Sequence, residues 1–256
     1  MTADLAIHDL AVRLGGRAVL EGVSLTLRLG RFVAVVGPNG AGKTSLLRAL
    51  VGLVPHTGRV ELAGTDLAAL ASRERARRIA YLPQGHEVHW PLPTRDIVAL
   101  GRFPHGAADP DRLGEADRQA IEDAMRLTET EAFADRPVTS LSGGERARVA
   151  LARVFAAGAP VILADEPTAA LDPRHQIDVV RSLQARARAG ALVIAVTHDL
   201  GLAARYADEV LVLQGGRLAA FGAPSEALAP PLLQAVFGIE AYAAEYRGQP
   251  VLVPWS

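Results

Sequence analysis

Residues 37–44 read Gly37-Pro38-Asn39-Gly40-Ala41-Gly42-Lys43-Thr44, which fits the phosphate-binding pattern G-x-x-x-x-G-K-[ST] at every fixed position. An apolar run, 32–36, comes directly before it, and Ser45-Leu46-Leu47-Arg48-Ala49-Leu50 reads as the start of a helix. A buried strand, a glycine turn and a helix in that order leave few folds open. The glycines let backbone N–H groups turn inward around a polyphosphate, and the helix N-terminus adds the positive end of its dipole. In that geometry Lys43 reaches the terminal phosphates and the Thr44 hydroxyl ligates Mg²⁺.

Two further segments say how a triphosphate would be used. Leu141-Ser142-Gly143-Gly144-Glu145 precedes Arg146-Ala147-Arg148-Val149, with Ser142 placed to cap a helix that the glycines open. The run 161–164 then ends in Asp165-Glu166-Pro167-Thr168. Adjacent carboxylates at the C-terminal end of a buried strand suit two tasks. Asp165 can hold Mg²⁺ through water, and Glu166 can act as base toward an attacking water.

With these residues in place the chain resembles the nucleotide-binding subunit of an ATP-binding cassette (ABC) transporter. The family's motifs occur in its order over nearly the whole chain. Gln84 in Tyr81-Leu82-Pro83-Gln84 matches the Q-loop, and residues 141–145 match the signature. Asp165 with Glu166 matches Walker B, Ala170-Leu171-Asp172 the D-loop, and His198 in Val196-Thr197-His198-Asp199 the switch histidine. Ser142 stands 23 positions before Asp165. The resemblance implies an α/β fold: a P-loop NTPase core with a mixed sheet, an N-terminal antiparallel β subdomain and an inserted α-helical subdomain. It implies ATP and Mg²⁺ as ligands. ATP is then cradled by Gly37, Pro38, Asn39, Gly40, Ala41, Gly42, Lys43, Thr44 and Ser45, with Thr44, Gln84 and Asp165 around the metal. Glu166, His198 and Lys43 become the catalytic groups, His198 bonding the γ-phosphate.

The resemblance also implies that one copy is incomplete. Ser142 and Gly144, with Leu141, Gly143 and Glu145 around them, would cap the γ-phosphate held by Lys43 of a second copy. Hydrolysis then takes a head-to-tail homodimer, with Asp172 at its interface. One departure concerns the base: the family's adenine-stacking aromatic is Leu14 here, in Arg13-Leu14-Gly15-Gly16, which leaves ATP over GTP undecided. Ala147 and Ala164 also replace the family's glutamine and leucine, without touching the chemistry.

Composition sets outer limits. A chain of 256 residues can bury one sizeable core, with room for a small appended subdomain. Twenty-seven basic residues against 28 acidic ones give no electrostatic footprint for nucleic acid. There is no cysteine, hence no thiol chemistry. The N-terminus lacks a signal-peptide pattern, and no apolar run approaches the ~20 residues of a membrane span. The expectation is a soluble, cytoplasmic protein whose transport would fall to separate membrane subunits.

Residues 5–14 and 19–29 alternate as antiparallel strands about Gly15-Gly16. The runs 32–36, 79–82, 161–164 and 192–197 suit parallel strands buried on both faces. Between 91 and 141 the alternation gives way to helices over 95–101 and 114–128, joined by the loop 104–110. A helical insertion of approximately 91–155, within a single domain 1–256, is the reading. A hairpin over 208–213 and 217–221 follows, then a C-terminal extension, 224–256, with helices over 224–228 and 230–237 and strands over 240–246 and 250–253.

His86 and His89 lack the accompanying cluster a metal site needs, so the segment 85–90 reads as a contact surface for a membrane subunit. Trp90 is either an anchor on that surface or part of the core. Residues 93–105, 230–239 and 250–254 are similar to segments in importers of ferric siderophores, haem and cobalamin. That resemblance implies two cassettes, two permease subunits on whose cytoplasmic face they sit, and indirectly a periplasmic substrate-binding protein. Other ABC importers and exporters are the alternative. A non-transport ABC ATPase lacks support, since there is no second cassette, coiled coil or basic surface. Intact Glu166 and His198 argue against a purely regulatory nucleotide-binding subunit.

Overall fold

Period-2 side-chain alternation in fully buried strands divides the interior into layers. In the computed structural model, which describes residues 4–85, 90–107, 109 and 112–255, β3 (Phe32–Val36) is buried at every position. Val33 and Val35 enter one hydrophobic cluster while Ala34 and Val36 enter another. The strands β7 (Val161–Asp165) and β8 (Leu192–Val196) split their residues between opposite faces in the same way.

These strands belong to a six-stranded sheet in the order β10-β9-β3-β8-β7-β6. It includes β6 (Ile79–Leu82), β9 (Glu209–Gln214) and β10 (Arg217–Gly222); only the β9–β10 pair is antiparallel. A second, antiparallel sheet has the order β2-β1-β4-β5, from β1 (Asp4–Leu14), β2 (Arg17–Arg28), β4 (Thr57–Leu62) and β5 (Thr65–Asp66). Helix α1 (Lys43–Leu50) packs between the two sheets with Leu46, Leu47 and Leu50 buried. The expected mixed sheet and antiparallel β unit are both present. Helix α1 begins at Lys43, two residues before the expected start. Strands β4 and β5 and helix α2 (Ser72–Arg78) fill residues 57–78, where no motif had signalled them. Four of the seven residues of α2 are arginine and none is buried.

On the opposite face of the main sheet, α3 (Thr94–Ala99), α4 (Glu115–Leu127) and α5 (Gly143–Ala156) pack on one another. The expected loop at 104–110 starts later, because a 3₁₀ turn continues from Leu100–His105. Buried Arg102 clamps this group: its Nε donates to Asp117 at 2.7 Å and its Nη1 to the Ala156 carbonyl at 2.9 Å. The chain then adds α6 (Pro173–Arg188), α7 (Leu200–Tyr206), α8 (Pro224–Ala227) and α9 (Pro230–Phe237). A two-stranded unit, β11 (Glu240–Tyr246) with β12 (Gln249–Trp255), closes against α7 through Ala241 and Leu252. Among the described residues no helix is long and apolar enough to cross a membrane.

Candidate active site

Four neighbouring parallel strands end at one edge of the main sheet, and each carries a motif residue. Strand β3 leads into the phosphate loop, β6 into Gln84, β7 into Asp165-Glu166, and β8 into Thr197-His198. Register aligns Val35 with Val196, Val196 with Asp165 and Ala164 with Leu82, so segments far apart in sequence meet there. Chain crevices at strand C-terminal ends are where α/β sheets bind ligands.

The loop is built so that only glycine fits at two points. A Cβ on Gly37 would collide with the Leu213 carbonyl oxygen, and one on Gly42, at φ 99°, would lie 2.6 Å from Leu20 Cδ2. Gly42 is the left-handed N-cap of α1, whose opening N–H groups point into the loop. Lys43 is buried; its Nζ donates to the carbonyls of Gly37 at 2.7 Å and Pro38 at 3.0 Å. That burial holds its amine below the ordinary lysine range, and the charges of Glu166 and Asp165 offset part of the effect. Asn39 to Ser45, Glu166 and His198 line an open cleft of ≈ 250 Å³ above the loop.

Asp165 is fully buried, and Thr44 Oγ1 donates to its Oδ1 at 3.1 Å while the Tyr81 hydroxyl donates to Oδ2 at 3.2 Å. Burial pushes its carboxyl above the usual range, against the pull of those two hydrogen bonds. Glu166 has a left-handed backbone, φ 50°. Such a conformation costs ~1–3 kcal/mol in a non-glycine residue and concentrates at functional sites. Its Oε2 accepts from Gln84 Nε2 at 2.9 Å, and Oε1 lies 2.9 Å from His198 Nε2. Lys43, Thr44, Gln84, Asp165, Glu166 and His198 therefore converge.

Leu141 to Glu145 and Asp172 do not line that cleft. Ser142 caps α5 in a full capping box: its Oγ accepts from Glu145 N at 3.3 Å, and its own N–H donates to Glu145 Oε2 at 2.7 Å. The bonds from Ser142 hold the Glu145 carboxyl below its ordinary range. Asp172 caps α6. Leu14 is 41% exposed at the end of β1, and Val19 of β2 lines the cleft wall where Leu14 does not. Trp90 is exposed, while His86 and His89 lie outside the described residues.

The family described as "ABC transporter" matches residues 20–169. A hemin import ATP-binding protein of Streptomyces coelicolor is 48% identical over 97% of this chain and 89% of its own length. The chain belongs to the ABC transporter ATP-binding family. A second hemin import ATP-binding protein, from Rhodococcus jostii, is 47% identical over 98% of the cassette and 86% of its own length. A cobalamin import ATP-binding protein of Halobacterium salinarum is also 47% identical, over 93% of the cassette and 59% of the relative. A solved transporter described as of the metal-chelate type, in an inward-facing conformation, superposes with TM-score 0.83 at 27% identity, covering 99% of the cassette and 98% of that chain.

Two neighbours of the ATP-binding cassette's motif residues had no motif to announce them. Tyr81 precedes Gln84 by three residues and reaches Asp165 only because β6 pairs with β7. Val19 faces the loop because β2 passes beneath Gly42.

Proposed function

We propose that this cassette hydrolyses ATP to power an importer of haem, cobalamin or a related iron chelate. The observation that carries the reading is the Glu166 carboxylate, held between Gln84 and His198 at the rim of the cleft that the phosphate loop encloses. Composition adds support: Lys43 is the chain's only lysine among 27 basic residues. Its ammonium, a compact point charge on a flexible stem, suits the narrow cradle of a phosphate loop. Both names carried by the close relatives, hemin and cobalamin import, support the cargo class.

Lys43 donates to two loop carbonyls, and Glu166 meets Gln84 and His198. Triphosphate gives the Lys43 ammonium anionic partners in place of those carbonyls. A water in line with the γ-phosphorus attacks it; Glu166 accepts the water's proton, ADP leaves, and His198 donates to the γ-phosphate oxygens. Mg²⁺ fits beside Thr44 Oγ1 and Asp165, a pair of hard oxygen donors 3.1 Å apart, with Gln84 nearby through Glu166. When bound, it neutralises charge on the phosphate oxygens.

The signature turn supports a shared site. Ser142 and Gly143 are exposed at the start of α5 and line no part of their own cleft, so the turn they make with Gly144 is placed to cap the triphosphate of a second copy in a head-to-tail homodimer, with Asp172 beside it. The helical insertion, approximately 91–155, and the C-terminal extension, 224–256, are parts of this single domain. The cassette sits on the cytoplasmic face of the membrane against permease subunits, which receive cargo from a periplasmic binding protein. Their docking surface includes the exposed apolar side chains Trp90, Phe103 and Leu53, which are 68%, 64% and 63% exposed. Arg73 and Arg77 tie α2 to the turn beside Phe103 through the Pro104 carbonyl.

Glu166→Gln tests the assignment. ATP binding should survive while turnover falls about 10²-fold or more, as loss of a positioned base requires. The variant should accumulate as an ATP-bound dimer on size-exclusion chromatography. Near-wild-type hydrolysis would remove Glu166 from the role of base.

A further inference from the structure

The signature turn and the turn that follows β7 meet through one side chain that neither motif contains. Both carboxylate oxygens of Asp172 are engaged by residue 175. Oδ1 accepts from the His175 backbone N–H at 3.1 Å, and Oδ2 lies 2.6 Å from ring Nδ1. The opposite edge of the same ring rests on Gly144. A Cβ there would come within 2.8 Å of His175 Nε2 and closer still to the ring carbons.

Gly144 is not held by its backbone, which is ordinary helix without a positive φ. A glycine in a helical position costs ~1 kcal/mol relative to alanine. Any side chain at position 144 is excluded by the His175 ring. The imidazole thus fills the space between the N-terminal turns of α5 and α6, bonding one and packing on the other. It is also peripheral: the His175 side chain is 29% exposed and that of Asp172 59%.

We propose that His175 is a positioning residue that makes the signature turn and Asp172 of one protomer a single rigid edge, so that both engage the partner's nucleotide together. The inference rests on the shared-site reading above. Helix α5 belongs to the helical insertion and α6 to the main sheet's flank, so their termini stay in register only as far as contacts between them allow. The ring contributes both a hydrogen bond and a steric stop. Removing it leaves the α6 cap in place, because the residue-175 backbone N–H still reaches Asp172 Oδ1. Coupling can therefore be lost without loss of the helix.

The test uses the full-length chain in a Glu166→Gln background, with and without His175→Ala, by sedimentation at graded protein concentration in ATP. His175→Ala should raise the dimer dissociation constant about five-fold or more, the range expected when two contacting groups are uncoupled. Affinity of the monomer for ATP, read from protection of the single lysine Lys43 against an amine-reactive reagent, should stay unchanged. With Glu166 intact, His175→Ala should hydrolyse ATP with raised KM, and added protein should restore activity. His175→Asn, which keeps a donor toward Asp172 but no ring on Gly144, should recover part of the dimer affinity. Equal dimerisation with and without the ring would overturn the inference while leaving the shared site standing. A melting temperature lowered by more than about 5 °C would make the ring a plain structural support and overturn it too. If Glu166→Gln itself forms no ATP dimer, the shared-site reading falls, and this inference with it.

Discussion

Replacing Trp90 with alanine separates a docking surface from a packed core by size of effect. Trp90 is 68% exposed, and a wholly enclosed tryptophan buries ~150–250 Å², so only about 50–80 Å² of this one is covered. At ~25 cal/mol/Å² that is ~1–2 kcal/mol of stability, an upper bound because unfolded chains already bury some apolar surface. A core tryptophan would instead lose ~3–5 kcal/mol. At ~2–4 °C per kcal/mol for a chain of this size, the melting temperature of the free subunit should fall by no more than ~8 °C, with half that the central expectation. Basal ATPase activity should be unchanged, since Trp90 lines no part of the phosphate-loop cleft. With permease subunits in proteoliposomes, transport and cargo-stimulated hydrolysis should fall together, since an exposed aromatic anchor of an interface costs ~2 kcal/mol or more when truncated. A core-sized loss of stability, or normal transport, would refute the docking assignment.

The shared site predicts that Lys43→Ala and Ser142→Arg are each inactive alone, and that Lys43→Ala no longer binds ATP by calorimetry. Mixed after subunit exchange, they should regain up to about a quarter of wild-type activity, because half the dimers carry one intact site of two. No recovery in mixtures shown to exchange would argue for a site complete in one chain. Asp165 gives a pH test on the nucleotide-free protein. Its folded carboxyl titrates above the ordinary value of 3.8, so the native state holds the proton more tightly than the unfolded state. Its contribution to stability is therefore present at low pH and lost as pH rises from that ordinary value through the raised one. Asp165→Asn should remove this slope, gaining stability relative to wild type as pH rises from about 4 to 7 in urea titrations. Parallel curves would contradict it. The same variant should lose Mg²⁺-dependent turnover.

The sequence alone determined everything that follows from local pattern. Short unbroken apolar runs predicted β3, β6, β7 and β8 to within a residue, because a strand buried on both faces has no polar position to blur its ends. The phosphate loop, the Ser142 cap and the Asp165-Glu166 pair were legible because each is a short pattern of fixed residue types at fixed spacing. Tertiary structure decided what depends on partners distant in the chain. Trp90 could be surface or core until its surroundings were placed. Tyr81 reaches Asp165, and Gln84 and His198 reach Glu166, across separations of 84, 82 and 32 residues that only parallel strand pairing closes. Likewise His175 meets Gly144 only because α5 and α6 start side by side. Spacing along a chain encodes what a turn or a strand can do, whereas contact between turns is set by how the sheet and its helices pack.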